Sequence, residues 1–178
     1  MFKAADKDKF LHCQTEEIES LYNLDIMDAH PITDLPPKAK LLSSIWSYHR
    51  KRSPNCILSK YKSRLYANGK QQSFGCDYWE TYAPIASWAT ILLLLYLSTI
   101  MNLFTRQVDY TSAFPQANLE VPVYMRVLQG WFINESGRLQ QHADPKFHDN
   151  AHYLHLKKNL YGCKQATRNW FKMLSARL

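Results

Sequence analysis

Apolar residues recur along this chain with two different periods, and each period marks a different kind of element. Between residues 5 and 22, Phe10, Leu11, Ile18, Leu21 and Tyr22 fall on one side of a helical wheel and charges on the other, which predicts an amphipathic helix. Within it, Thr15-Glu16-Glu17-Ile18 has a capping-box pattern that would start a second, shorter helix instead. Asp34-Leu35-Pro36-Pro37 breaks the chain. Lys40 to Tyr48 reads as a strand, His49 to Asn55 as a basic turn, and Ile57 to Ala67 as the returning strand of a hairpin. Gly75 to Pro84 predicts an irregular aromatic loop, and Thr90 to Asn102 a buried helix with Ser87 or Thr90 near its start. Arg106-Gln107-Val108, inside the stretch from Phe104 to Asp109, predicts a short buried strand that delivers Asp109 at its end. Val121 to Val127 and Ala151 to Leu156 are further strands, separated by a polar, loop-rich insertion from Gly130 to Asn150. Leu160-Tyr161-Gly162 is a turn, and Gln165 to Leu178 a closing helix. That order of elements points to an α+β fold, with no internal repeat.

Composition narrows this picture in three ways. An apolar content of 46% with 13% aromatics, over 178 residues, is that of a folded chain with one core or a core and a small subdomain. A formal charge of +7 suits an anionic partner, nucleic acid first, with plain solubility as the competing explanation. Cys13, Cys56, Cys76 and Cys163 lie far apart without a Cys-x-x-Cys pair, which excludes a zinc knuckle and an obvious disulfide framework. No basic-then-apolar targeting signal is seen, so the expected setting is cytoplasmic or nuclear. The apolar block from Ile91 to Leu97 is too short, and too broken beyond it by Ser98, Thr99 and Asn102, for a membrane span.

Candidate chemistry sits in two places. Asp109, where a strand gives way to a turn, is placed to hold a divalent cation at the lip of a sheet, or merely to cap the turn. Phe114 could wall a small-molecule pocket or belong to the core. On the hairpin, Lys60, Lys62 and Arg64 are two apart and share one strand face, with Arg50, Lys51, Arg52 and Lys70 nearby. Such a face suits phosphates, or serves as a solvated guard on an edge strand. His148, His152 and His155 have a spacing that could hold a metal on a helix. The pattern Tyr153-Leu154-His155-Leu156 is that of a strand, which sends His152 and His155 to opposite faces and leaves surface histidines as the reading.

Five blocks, in order, carry a resemblance. They are Leu35-Pro-Pro-Lys-Ala-Lys with Trp46 and the basic hairpin, Tyr61-Lys-Ser-Arg-Leu-Tyr-Ala-Asn-Gly-Lys-Gln, and Gly75-Cys-Asp-Tyr-Trp-Glu-Thr-Tyr-Ala-Pro-Ile. The other two are Gln107-Val-Asp-Tyr-Thr-Ser-Ala-Phe, continued by Val123-Tyr-Met, and Leu156-Lys-Lys-Asn-Leu-Tyr-Gly-Cys-Lys-Gln-Ala-Thr-Arg-Asn-Trp. Together, over residues 8 to 178, they resemble the reverse transcriptase (RNA-directed DNA polymerase) domain of copia-type LTR retrotransposons, part of a Pol polyprotein. The resemblance implies a partial right-hand polymerase fold: an N-terminal helical segment at 1–30, a fingers-like region with the basic hairpin at 31–90, and the N-terminal part of the palm at 91–178. It implies Asp109 as catalytic carboxylate and ligand of Mg²⁺, and Tyr110 offering its backbone to the same site. It implies Lys62 and Arg64 against the incoming triphosphate, Phe114 against the sugar 2′ position, and Tyr161 and Gly162 lining the nucleotide pocket. The implied partners are an RNA or DNA primer–template, dNTPs and a longer polyprotein, with no membrane.

Departures from the family accompany the match. Leu92 stands for an arginine, Thr111 for a lysine, Pro115-Gln116-Ala117 for Leu-Asn-Gly, and Thr167 for a proline. Cys56 stands where the hairpin turn expects glycine, a position suited to positive φ. The family's Tyr-x-Asp-Asp hairpin is expected downstream of Leu178, and no Asp-Asp pair occurs in the chain. The expectation is therefore a fragment truncated before that hairpin, which holds Mg²⁺ poorly and does not catalyse nucleotidyl transfer alone. The alternatives are a non-catalytic nucleic-acid-binding module derived from a retroelement, or one piece of a longer active polyprotein.

Overall fold

The computed structural model describes residues 4–178; residues 1–3 of the expected N-terminal segment lie outside them. Helix α1 (Ala4–Asn23) buries Phe10, Ile18 and Leu21 on the side that the periodicity marks. It runs unbroken, because the Thr15 hydroxyl donates back to the Leu11 carbonyl at 3.3 Å instead of capping a new start. The chain then turns through Asp25 into β1 (Met27–Pro31), a strand too short and mixed in polarity to be marked in the sequence.

After β2 (Leu41–Leu42) comes the hairpin of β3 (Ser44–Arg52) and β4 (Leu58–Ala67). The strand β3 continues through His49–Arg52, residues expected in the turn. Their long charged side chains leave both faces of the ribbon, so the ladder is free to run on, pairing His49 with Lys62 and Lys51 with Lys60. The reversal falls at residues 53–57, closed by the Ser53 N–H donating to the Ile57 carbonyl at 2.9 Å. Cys56 there has a φ of 59°, the left-handed geometry that its replacement of a glycine suggested.

Helix α2 (Trp88–Ile100) forms where the sequence places it, and the Ser87 side chain accepts the Thr90 N–H at 3.2 Å as its N-cap. The expectation of a buried helix is overturned: none of its residues is buried, and Leu92 is 60% exposed. Leucines ring the whole helix and no other element among the described residues covers any side of it. The strand expected from Phe104 to Asp109 does not form either; that stretch is irregular and exposed, with Val108 at 60%. A strand needs a ladder partner and a covered face. Here it finds no partner strand among the described residues, and the helix that precedes it is itself undocked.

The remaining elements are β5 (Asn118–Arg126), β6 (Trp131–Ile133), β7 (Leu139–Gln141), β8 (His152–Lys158) and α3 (Ala166–Ser175). The insertion expected as loop thus contains a small antiparallel hairpin, β6–β7, that sends Trp131 and Leu139 into the core. A four-stranded sheet has the order β1-β8-β5-β2, with β8 antiparallel to both neighbours and β2 parallel to β5. One face of it, through Met27, Met125, Leu154 and Leu156, meets Ile18 and Leu21 of α1 and Leu65 of β4 in a single core. The architecture is the α+β mixture expected. Among the described residues no helix is long and apolar enough to cross a membrane.

Candidate functional site

The hairpin sorts its residues by strand alternation. Ser63, Leu65 and Ala67 are buried, while Lys62 and Arg64 lie on the other face with Lys60, opposite Lys51, His49 and Ser47 of β3. The inner face is fixed to α1: the Ser63 hydroxyl donates to the Phe10 carbonyl at 3.2 Å, and the Tyr61 hydroxyl to Asp6 at 2.6 Å. The cations are thereby set on the face away from that contact, with Lys62 and Arg64 half-buried. Like charges directly opposite one another, as Lys51 and Lys60 are, repel. An anion between them removes that repulsion.

The far end of β4 receives the turn at residues 160–162. The Ala67 N–H donates to the Tyr161 carbonyl at 2.8 Å. Gly162 has a φ of 91°, and a Cβ there would lie 2.2 Å from the Ala67 carbonyl oxygen. A Cβ on Gly69 would in turn lie 2.0 Å from the Gly162 carbonyl oxygen. Two glycines thus allow strand end and turn to touch backbone to backbone. Buried side chains hold the turn from both sides. The Asn159 amide donates to the Ala117 and Asn118 carbonyls at 2.9 and 3.0 Å. The Gln72 side chain accepts the Lys164 N–H at 2.8 Å and donates to Gln165 at 3.0 Å.

This packing delivers the Tyr161 ring beneath Arg64, whose guanidinium carbon is 5.2 Å from the ring centroid. Phe114 meets the same ring edge-on at 5.8 Å, and Tyr66 lies at 5.7 Å. Burial pushes the Tyr161 hydroxyl up from its ordinary pKa, against the opposing pull of Arg64 and a hydrogen bond with Ser112. Beside it, Lys51, Lys60, Lys62, Ser112 and Glu17 line a groove of about 300 Å³. Burial lowers the Lys62 ammonium, and repulsion from Arg64 and Lys51 lowers it further, while Glu17 opposes. Burial likewise raises the Glu17 carboxyl, although the Leu65 backbone, Lys62 and Arg64 pull it down. A groove lined by Lys51, Lys60 and Lys62 can hold phosphates, next to the ring cluster of Tyr161, Phe114 and Tyr66.

Arg64, Phe114, Tyr161 and Gly162 therefore come together, with Lys62 in the adjoining groove. Asp109 and Tyr110 do not join them. Both are exposed on the irregular segment, where the Tyr110 ring rests edge-on against Trp170 at 5.1 Å. Among the described residues no group of three His, Cys, Asp or Glu side chains could hold a metal ion. Asp109 as it stands here does not make up a divalent-ion centre. His152 pairs with Asp149 at 3.0 Å while His155 stacks on Tyr124, on opposite faces of β8 as strand alternation requires. Tyr66, Ser112, Gln72 and Asn159 went unmarked in the sequence. Tyr66 continues the period of Lys62 and Arg64, but the other three act across the chain and carry no local signal.

Residues 27–178 match the family described as reverse transcriptase (RNA-dependent DNA polymerase). The chain is 30% identical over 166 residues, 93% of its length, to the retrovirus-related Pol polyprotein from transposon TNT 1-94 of Nicotiana tabacum. It is 32% identical over 137 residues, 76% of its length, to that from transposon RE1 of Arabidopsis thaliana. It is 24% identical over 181 aligned positions, covering 97% of the chain, to the transposon Ty1-ER2 Gag-Pol polyprotein of Saccharomyces cerevisiae. The chain spans only 11%, 8% and 9% of those three proteins. No solved structure matches it.

Proposed function

The chain belongs to the reverse transcriptase (RNA-dependent DNA polymerase) family, and we propose that Lys62, Arg64, Phe114, Tyr161 and Gly162 form the pocket for an incoming deoxynucleoside triphosphate. The observation that carries this reading is the Arg64 guanidinium stacked over Tyr161 with Phe114 at the ring's edge. Lys62 and Arg64 neutralise the triphosphate. Tyr161 and Gly162 line the base and sugar side, and Phe114 crowds the 2′ position so that deoxynucleotides are preferred. Residues 31–90 act as fingers and 91–178 open the palm of a right-hand polymerase, within a longer Pol polyprotein that contacts an RNA or DNA primer–template. Asp109 serves as the first palm carboxylate, with the Tyr110 backbone beside it. Asp109 would be one ligand of Mg²⁺, an ion that would draw on further carboxylates, and the chain has no Asp-Asp pair.

A second reading is favoured by the outward cationic ribbon, which needs no metal: a module that binds nucleic acid without catalysis. Primer extension on an RNA template with dNTPs and Mg²⁺ separates the two, with Asp109→Ala as the control. Extension lost in Asp109→Ala establishes polymerisation. No extension above that control, together with primer–template binding that Lys62→Gln and Arg64→Gln abolish, establishes the binding module.

A further inference from the structure

The side of the hairpin that faces α1 does not close on the helix completely. Trp46 and Tyr48 of β3, opposite Leu65 and Ser63 of β4, stand on that side. Phe10 and Gln14 of α1 meet Tyr48, and Trp131 of the β6–β7 hairpin meets Trp46. Between these three elements lies a cavity of about 480 Å³, a size that suits a small molecule. Three of its rings form a row. Trp46 lies 6.4 Å from Tyr48 with the planes 23° apart, and 6.4 Å from Trp131 with the planes 28° apart. None of the residues assigned to the nucleotide pocket lines this cavity.

Core packing accounts for the rings, but protein interiors hold few voids larger than a water molecule. Nor does packing account for the polar atoms on the wall. Trp46 Nε1 is buried and has no acceptor among the described residues, and an indole N–H left unpaired costs free energy. The Gln14 amide donates to the Tyr48 hydroxyl, and the Gln141 amide to the Leu11 carbonyl at 3.0 Å. The carbonyl oxygens of the same two amides accept no hydrogen bond among the described residues, and both side chains line the cavity. One donor and two acceptors are thus left over beside a row of rings. Among the described residues no Asp or Glu lines the cavity, and its one Lys or Arg is the exposed Lys7. The nearest carboxylates in sequence are already engaged, Asp6 by Arg50 and Tyr61, and Asp144 by the Lys146 N–H.

We infer that this cavity is a binding site for a small, flat aromatic molecule that bears an uncharged carboxamide. Its ring packs against the row formed by Tyr48, Trp46 and Trp131. Its carbonyl accepts from Trp46 Nε1 and its NH₂ donates to the Gln14 and Gln141 oxygens, so each leftover group gains a partner. Trp46 keeps part of its surface open, and a small turn of the ring presents its N–H to the arriving oxygen. A carboxylate of the same shape has no donor for the two glutamine oxygens. An ammonium finds no counter-ion on the wall and offers the indole N–H no acceptor. A proline-rich segment, which aromatic grooves also take, supplies carbonyls, but proline has no N–H for the glutamines. Trp46 and Tyr48 lie on the opposite side of the ribbon from Lys62 and Arg64, so the inference stands apart from the nucleotide pocket.

The test titrates the full chain, labelled with nitrogen-15, with naphthamide, naphthoate and naphthylmethylammonium, three probes of one shape and different charge. The Trp46 indole N–H resonance, identified by its absence in Trp46→Phe, is expected to move downfield with naphthamide as the hydrogen bond forms. That readout comes from the unaltered chain and needs no variant affinity. Naphthamide is expected to bind at least about tenfold more tightly than either charged probe, because only it pairs all three groups. Gln141→Leu, which removes one acceptor from a part-exposed position, is expected to weaken naphthamide by about threefold or more and to leave naphthoate unchanged. Saturating dNTP is expected to leave the Trp46 resonance and the naphthamide affinity where they were, whether or not the nucleotide pocket is real. An unmoved Trp46 resonance at millimolar naphthamide overturns the site, and so does equal affinity for the three probes. Displacement of naphthamide by a nucleoside would give the cavity to a base, and tighter binding of a proline-rich peptide would give it to a polypeptide; either overturns the carboxamide assignment.

Discussion

Gly162 is the residue on which the candidate pocket depends most directly. Its φ of 91° is left-handed, and a methyl group there would meet the Ala67 carbonyl at 2.2 Å. Both strain and collision act in the same direction, so Gly162→Ala is expected to cost about 2 kcal/mol or more, read as a lower urea midpoint. Because the same contact sets the Tyr161 ring under Arg64, the variant also loosens that stack. Cys56 presents the opposite case: an exposed non-glycine at φ 59° in the hairpin turn. Glycine relieves about 1–2 kcal/mol of left-handed strain and gives back about 0.5–1 through added freedom in the unfolded chain. Cys56→Gly is therefore expected to raise stability by about 0.5–1 kcal/mol, measured as a shift of the same midpoint. That position was legible in advance because the family resemblance puts a glycine there. The interlock of Gly69 with Gly162 was not, since it exists only once distant backbones meet.

Among the elements, those whose stability is local were read well and those that wait on neighbours were not. Period-two spacing put Lys60, Lys62 and Arg64 on one strand face, and the ladder confirms it. Helix α2 formed at its expected place because apolar helix formers and a serine cap need nothing beyond the helix itself. Its burial failed because an apolar run states a need for cover without supplying it. The strand expected before Asp109 failed with it, which left the carboxylate on an exposed segment. Leu92, Leu93, Leu95 and Tyr96, each more than half exposed, make this helix an association liability. Leu92→Lys with Tyr96→Lys is expected to raise solubility, and to shift light scattering toward the monomer, with no loss of the thermal transition. A lower transition temperature in that variant would mean that α2 is docked in solution.

At the scale of the whole molecule, the charge of +7 gains meaning from where it is displayed. Lys51, Lys60, Lys62 and Arg64 stand on one outward face of a ribbon whose inner face is fixed to α1. Arg50, by contrast, is engaged by Asp6, and Arg168 is paired with Glu80 and Glu120. If the ribbon is the surface that meets a paired primer–template, binding should release counterions in proportion to those cations and no others. Each phosphate neutralised contributes about −0.9 to the slope of log affinity against log salt, so the four side chains give a slope of about −3.6. Lys62→Gln with Arg64→Gln should reduce its magnitude by about 2. The same change in Arg168, which keeps its carboxylate partners, should leave it almost untouched. A slope that tracks only the net charge of each variant, wherever the charge lies, would mean diffuse attraction and would remove the ribbon as a binding surface. The titration reports on binding whether or not a metal centre is assembled, which makes it the most direct reading of what this chain does by itself.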